Sequence, residues 1–189
     1  MNKKKVYFVQ VNVTYSDCFS YFPYASGCIA AYAWREKEIS ENYELADIFC
    51  IRHKTAEVLE KIENPAVVGF SCYIWNMEYN LQLAEMVKAK YPDCVIVFGG
   101  HNVPDDTSLL EKYPFIDVLM HAEGEVPFTM LLKALNNGSA FNTIPDISFR
   151  ENGGYVMTEK KKVYDISDYP SPYTEGFFDK LFAGRIIKF

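Results

Sequence analysis

The sequence predicts a doubly wound α/β domain, with a five-stranded parallel sheet in the order 2-1-3-4-5. Three observations lead there. Five β-rich apolar runs alternate with five helical stretches between residues 6 and 136, and right-handed crossovers lay such helices on the two faces of a parallel sheet. The strand runs are nearly all apolar, as strands covered on both faces are. The length, 189 residues with 49% hydrophobic and 23% charged, suits one domain with a real core.

Val6 to Val13 forms the first and central strand. A polar, aromatic loop leads to a helix over Tyr24 to Glu38, with Tyr, Trp and Ile at helical spacing among alanines, and then to a second strand over Glu44 to Ile51. Thr55 to Ile62 is a short helix before the third strand, Ala66 to Ser71. Met77 to Lys90 is amphipathic, with Leu81, Ala84, Met86 and Val87 inward, and Tyr91-Pro92-Asp93 closes it. Cys94 to Phe98 is the fourth strand, Thr107 to Lys112 a short helix and Phe115 to Met120 the fifth strand. The last helix, Val126 to Asn136, is capped by Asn136-Asn137-Gly138. Beyond it, Ile147 to Arg150 and Tyr155 to Thr158 flank Glu151-Asn152-Gly153-Gly154, a β-hairpin signal. Asp165 to Phe189 carries Pro170 and Pro172 and reads as an extended linker. The expected division is an α/β domain over 1–140 and a hairpin with linker over 141–189.

Composition excludes several classes. With 25 acidic and 19 basic residues the net charge is -6, so no polyanion-binding field is expected and no nucleic-acid partner. No run reaches the ~18 apolar residues of a membrane span, and no cleavable leader is visible, so the chain reads as cytoplasmic. Cys18, Cys28, Cys50, Cys72 and Cys94 form no CxxC pair or cluster, which leaves reduced, mostly buried thiols. His53, His101 and His121 are scattered and read as satisfied surface residues rather than as a metal set.

In doubly wound sheets the ligand sits outside the carboxyl ends of the strands where the winding reverses, here beside strands 1 and 3. Strand 1 ends in Asn12 and Thr14, and strand 3 in Ser71, Tyr73, Trp75 and Asn76. Gly99, Gly100 and His101 follow strand 4; Glu123, Gly124 and Glu125 follow strand 5. The glycine pair lets a backbone approach a bulky ligand or simply makes a turn. Asn76 serves a pocket or only caps a helix, and at least one glutamate is explained by the helix dipole. A receiver domain needs an Asp where Ser71 stands; a flavodoxin needs a phosphate loop where Asn12-Val13-Thr14-Tyr15-Ser16-Asp17-Cys18 lacks glycine, and no GxGxxG or P-loop occurs.

The order of features is distinctive: Val68-Gly69-Phe70-Ser71 with Trp75-Asn76, Phe98-Gly99-Gly100-His101, Ile116-Asp117 with Glu123-Gly124-Glu125, and Ile144-Pro145-Asp146-Ile147 ahead of the hairpin and Pro170-Ser171-Pro172. Over nearly its whole length the chain resembles the N-terminal cobalamin-binding domain of the B12-binding radical SAM proteins. The resemblance implies cobalamin bound with its dimethylbenzimidazole tail displaced, in a slot walled by Ser71 and by Gly99-Gly100. It implies that a leucine at Gly100 would project into that slot. No DxHxxG motif occurs and no histidine precedes His53, so the cobalt is expected base-off and without a protein imidazole. In that family a barrel carrying CxxxCxxC follows and binds a [4Fe-4S] cluster and S-adenosylmethionine. That motif does not occur in these 189 residues, so cluster and S-adenosylmethionine are expected only in a C-terminal radical SAM domain of the parent chain, and no catalysis from this chain alone. The alternative is a docking domain that has lost cobalamin and works through Tyr15, Phe19, Tyr21, Phe22 and Tyr24.

Overall fold

A computed structural model of the chain describes residues 3–15, 18–19, 22–160, 165, 167 and 169–183. The chain begins with β1 (Lys4–Val9), and β2 (Thr14–Tyr15) and β3 (Cys18–Phe19) pair antiparallel in the segment read as loop. Then come α1 (Tyr24–Trp34), α2 (Lys37–Asn42), β4 (Tyr43–Phe49), α3 (Thr55–Lys61), β5 (Pro65–Ser71) and α4 (Met77–Lys90). The remainder is β6 (Val95–Gly99), α5 (Ser108–Lys112), β7 (Val118–Met120), α6 (Glu125–Asn137), β8 (Ile147–Glu151), β9 (Gly154–Met157) and α7 (Asp179–Ala183). No helix among the described residues is long and apolar enough to cross a membrane.

The sheet runs β4-β1-β5-β6-β7-β8-β9. Its five parallel strands stand in the predicted order, and the hairpin extends the same sheet because β8 pairs antiparallel with β7, Met120 opposite Ile147. The hairpin turns on Asn152 (φ 51°) and Gly153 (φ 78°), the positive pair that a tight two-residue loop requires.

Period-two alternation assigns each strand residue to one of two cores. Val6 and Phe8 face α1, α2 and α6, in a cluster with Ala30, Ile39, Phe128 and Leu131. Tyr7, Val9 and Val11 face α3, α4 and α5, with Val58, Leu83 and Leu110.

Several boundaries differ from expectation, the first being strand 1, which is predicted over Val6 to Val13 but ends at Val9, after which the Gln10 and Asn12 amides bond across to the Phe49 and Cys50 carbonyls. The helix predicted over 24–38 breaks at Glu36, which is extended (ψ 122°), and this kink turns Ile39 into the core beside α6 while Glu36 pairs with Lys133 at 2.8 Å. The fifth strand starts late because the Asp117 carboxylate accepts the Ile96 amide (2.7 Å) and pairs with Lys88 (2.9 Å), a side chain doing what a ladder bond would. Part of the supposed linker is docked. Phe178 is fully buried, packs edge-on against Phe22 (4.4 Å between centroids), and rests over Gly27 of α1, where a Cβ would fall inside its ring.

Candidate functional site

The face of the sheet toward α1 and α6 carries a trough. Lateral neighbours Phe8, Gly69, Val97 and Val118 form one rung, and Ser71, Gly99 and Met120 the rung above it. In the upper rung Gly99 of β6 lacks a side chain where a covered sheet normally carries one, while in the lower rung the Phe8 ring packs over Gly69 of β5, 2.8 Å from where a Cβ would stand. The space left is a cavity of about 510 Å³ beneath α1, which contributes Ser26 and Ile29, and α6, which contributes Phe128. Its floor is apolar; its rim carries Asp105, Glu123 and Glu125 with His101 and His121.

Of the twelve residues singled out from sequence, Ser71, Tyr73, Gly99, Gly100, His101, Glu123, Gly124 and Glu125 line this cavity. Trp75 stacks flat on Tyr73 beside it (4.6 Å, 3°). Asn12 is buried at the end of β1, its amide bonded to the Cys50 carbonyl (3.3 Å), away from the cavity. Thr14 lies on β2, and its side chain, like those of Tyr15 and Phe19, is outside the described set, as is all of Tyr21.

Asn76 corrects the expected position of the slot. Its side chain is fully buried, and its Nδ2 donates to the carbonyls of Val11 (3.1 Å) and Ser71 (2.9 Å), while its Oδ1 accepts the Tyr73 amide (2.8 Å). This amide bridges the ends of β1 and β5, so the crevice between strands 1 and 3 is closed and the open space lies over β5, β6 and β7 instead. Asn76 is not a cavity wall; it stands at the N-cap of α4, as one of the two readings of the sequence has it, its carbonyl accepting the Asn80 amide (2.9 Å) although its side chain makes no cap bond. Asn76→Ala leaves the buried Val11 carbonyl and the Tyr73 amide without their side-chain partner, while the Ser71 carbonyl keeps the Asn80 side-chain amide (3.2 Å), and is expected to cost about 2–3 kcal/mol, roughly 5–10 °C in thermal midpoint. A midpoint within about 2 °C of the parent, by circular dichroism melting, would remove Asn76 as the clamp.

The two glycines after strand 4 differ in kind. Gly99 has ordinary extended backbone, and an added Cβ meets only Met120, at 3.4 Å. Gly100 has φ +107°, and its Cβ would meet the Cys72 backbone at 2.9 Å to oxygen and 3.0 Å to nitrogen. Leucine at Gly100 would therefore strike Cys72 rather than project into the cavity as expected from sequence. The clearing of the trough belongs to Gly99.

His121 was read as a surface histidine and is not one. Its side chain is 1% exposed, its Nε2 lies 2.7 Å from the Ser148 hydroxyl, and its Nδ1 faces Asp105 at 3.8 Å, which in turn pairs with Lys160. Burial holds its pKa below the ordinary histidine value. Burial first, and the neighbouring Glu123 charge second, push the Glu125 carboxyl above the usual range. Tyr169 from the C-terminal segment donates to Glu123 (3.2 Å). Sequence reasoning also missed Ser26 and Ile29, although their i, i+3 spacing on α1 marks a shared face, and Phe128, which has the same relation to Glu125 on α6.

This arrangement defines a class: a doubly wound α/β domain with a glycine-cleared trough at the carboxyl ends of its strands. The B12 binding domain model matches residues 37–132, and the chain belongs to that family. It is 34% identical over 183 residues to the cobalamin-dependent radical SAM methyltransferase TokK of Streptomyces tokunonensis, covering 95% of this chain and 26% of that protein. It is 28% identical over 183 residues to the 2-(S-pantetheinyl)-carbapenam-3-carboxylate methyltransferase of Streptantibioticus cattleyicolor, with the same coverage of 95% and 26%. The structure of the cobalamin-dependent S-adenosylmethionine radical enzyme OxsB superposes with a TM-score of 0.68 at 18% identity, over 99% of this chain and 25% of that one. The chain thus spans about a quarter of the length of these relatives.

Proposed function

We propose that this chain is a cobalamin-binding module that takes the corrinoid's nucleotide tail, detached from cobalt, into the trough and holds the corrin ring over its mouth. The observation that carries the reading is the cavity itself: its 510 Å³ is too small for a whole corrinoid and ample for the tail. The rim supports it. Three carboxylates and no Lys or Arg line the cavity among the described residues, a rim that leaves the tail's phosphate at the solvent-facing mouth while the base enters, and that suits the many carboxamide N–H groups at a corrin edge. Ser71 offers a hydroxyl to the freed base, Gly99 leaves room for it, and Tyr73 stacked on Trp75 forms an apolar shoulder at the mouth.

When bound, cobalamin would supply a cobalt centre able to carry a methyl group. This chain's residues bind and orient the group and exclude water from one side of it. Presentation to a radical SAM domain of the parent chain, with its [4Fe-4S] cluster and S-adenosylmethionine, extends the reading through the names of the relatives and is part of the proposal. Burial pushes the Cys50 thiol up to about 11 and those of Cys72 and Cys94 up to about 12, so these thiols stay protonated at neutral pH. The docking alternative is less favoured, because Phe22 and Tyr24 contact Tyr173 of the C-terminal segment and leave the cavity clear.

Incubating the 189-residue chain with hydroxocobalamin and desalting it tests the reading. Retained corrinoid with a base-off absorption spectrum is expected. Colourless protein would overturn cobalamin binding, and a base-on spectrum would overturn the detached tail.

A further inference from the structure

The floor of the trough differs in chemistry from its rim. Phe8, Val97 and Met120 on the sheet and Phe128 of α6 facing them are each at most 4% exposed and present only carbon or thioether surface. Ile29 of α1 covers them from above. The Ser26 hydroxyl lies on the helix side, Ser71 stands beside Gly99 in the upper rung, and the remaining polar groups, Tyr73, His101, Asp105, His121, Glu123 and Glu125, belong to the rim rather than the floor. A planar ring pushed into this space meets hydrocarbon on its far edge and a hydroxyl on its near edge.

Corrinoids differ in the base that ends the nucleotide tail. A dimethylbenzimidazole released from cobalt has one ring nitrogen free to accept a hydrogen bond, and the remainder of its outline is apolar. An adenine carries additional ring nitrogens and an exocyclic amine. Buried against Phe8, Val97 and Phe128, those groups lose their water and gain no partner, and an unpartnered buried donor or acceptor bears its full desolvation cost. We infer that the trough selects its corrinoid by the lower base, taking tails that end in an apolar benzimidazole and discriminating against tails that end in adenine. This rests on the reading that the tail enters the trough. It goes beyond that reading by naming the ligand subclass and Val97, with its neighbours on the floor, as the discriminating surface.

Apolar pockets reject an isostere bearing extra polar groups by roughly 10- to 100-fold, so that is the expected ratio of dissociation constants. The test titrates the full chain with cobalamin, with the corresponding adeninyl cobamide and with cobinamide, which lacks the nucleotide tail, following tryptophan fluorescence and corrinoid absorbance. Cobalamin binding tightest, with the adeninyl form weaker by about that factor and cobinamide also weak, supports the inference. Equal binding of the two complete corrinoids with weak cobinamide overturns selection while leaving the tail in the trough. Equal binding of all three overturns the tail's placement together with the inference, and binding of none overturns cobalamin as the ligand. A Val97→Thr variant adds a hydroxyl to the floor at nearly constant shape and is expected to narrow the preference for cobalamin over the adeninyl form. An unchanged ratio in a variant whose thermal midpoint shows it folded would overturn Val97 as part of the discriminating surface.

Discussion

Gly99→Leu is expected to weaken cobalamin binding by roughly tenfold to a hundredfold with little change in thermal midpoint, whereas Gly100→Leu, one residue on, is expected to unfold the protein earlier. The difference follows from where each side chain would go. At Gly99 the backbone is one any residue adopts, the Cβ meets only Met120, and the rest of a leucine extends into the trough. At Gly100 the φ of +107° is strained for any L-residue, and the obstacle is backbone: Cys72 is held by a bond from its amide to the Gly99 carbonyl (2.7 Å) and from the Asn102 amide to its own carbonyl (3.0 Å). Strain and overpacking together cost about 2–5 kcal/mol, roughly 5–15 °C. Melting curves and corrinoid titrations on both variants check the pair. Undiminished affinity in Gly99→Leu would sink the trough as the ligand site, and an unshifted midpoint in Gly100→Leu would sink the strain argument.

Phe178→Ala is expected to destabilise the domain by about 3–5 kcal/mol, on the order of 10 °C, although Phe178 lies in a segment that reads as linker. Its ring is fully buried, ringed by Phe22 and Tyr173, and seated where Gly27 leaves α1 bare. Gly27→Leu attacks the same contact from the other side, since the new side chain and the ring cannot share that space. The two substitutions combined should therefore cost distinctly less than their sum. Strict additivity in chemical denaturation would mean that the two residues do not meet. Cobalamin affinity is expected to fall in both single variants as well, because Ser26 and Ile29, within two residues of Gly27 on α1, wall the trough.

Much of this was legible in the chain. Val6 to Val11 alternates between two cores, the crossover rule sets the order of the five parallel strands, and Gly138 ends α6 in the left-handed conformation (φ 66°), as its position after Asn136-Asn137 predicts. The cavity lies beyond Phe70, Phe98 and Met120, three of the four strand ends to which the topology rule points; at the fourth, Val11, the Asn76 amide closes the gap. What misled were groups whose role depends on a distant neighbour. Ser148 and His121 are 27 residues apart and neither signals the other, so a buried hydrogen-bonded histidine read as a surface one. Phe178 and Gly27 are a notch and its filling drawn from opposite ends of the chain.

Local periodicity and backbone chemistry are properties of neighbouring residues, so the sequence by itself determined which segments are strands and helices, which strand face is buried, and that glycines and hydroxyls gather at one edge of the sheet. The direction in which a missing side chain opens space is a property of φ and of what another strand places opposite. Only the tertiary structure could decide that Gly99 clears the trough while Gly100 guards Cys72, and that Asn76, by bridging Val11 and Ser71, closes the crevice between strands 1 and 3 and leaves the cavity over β5, β6 and β7.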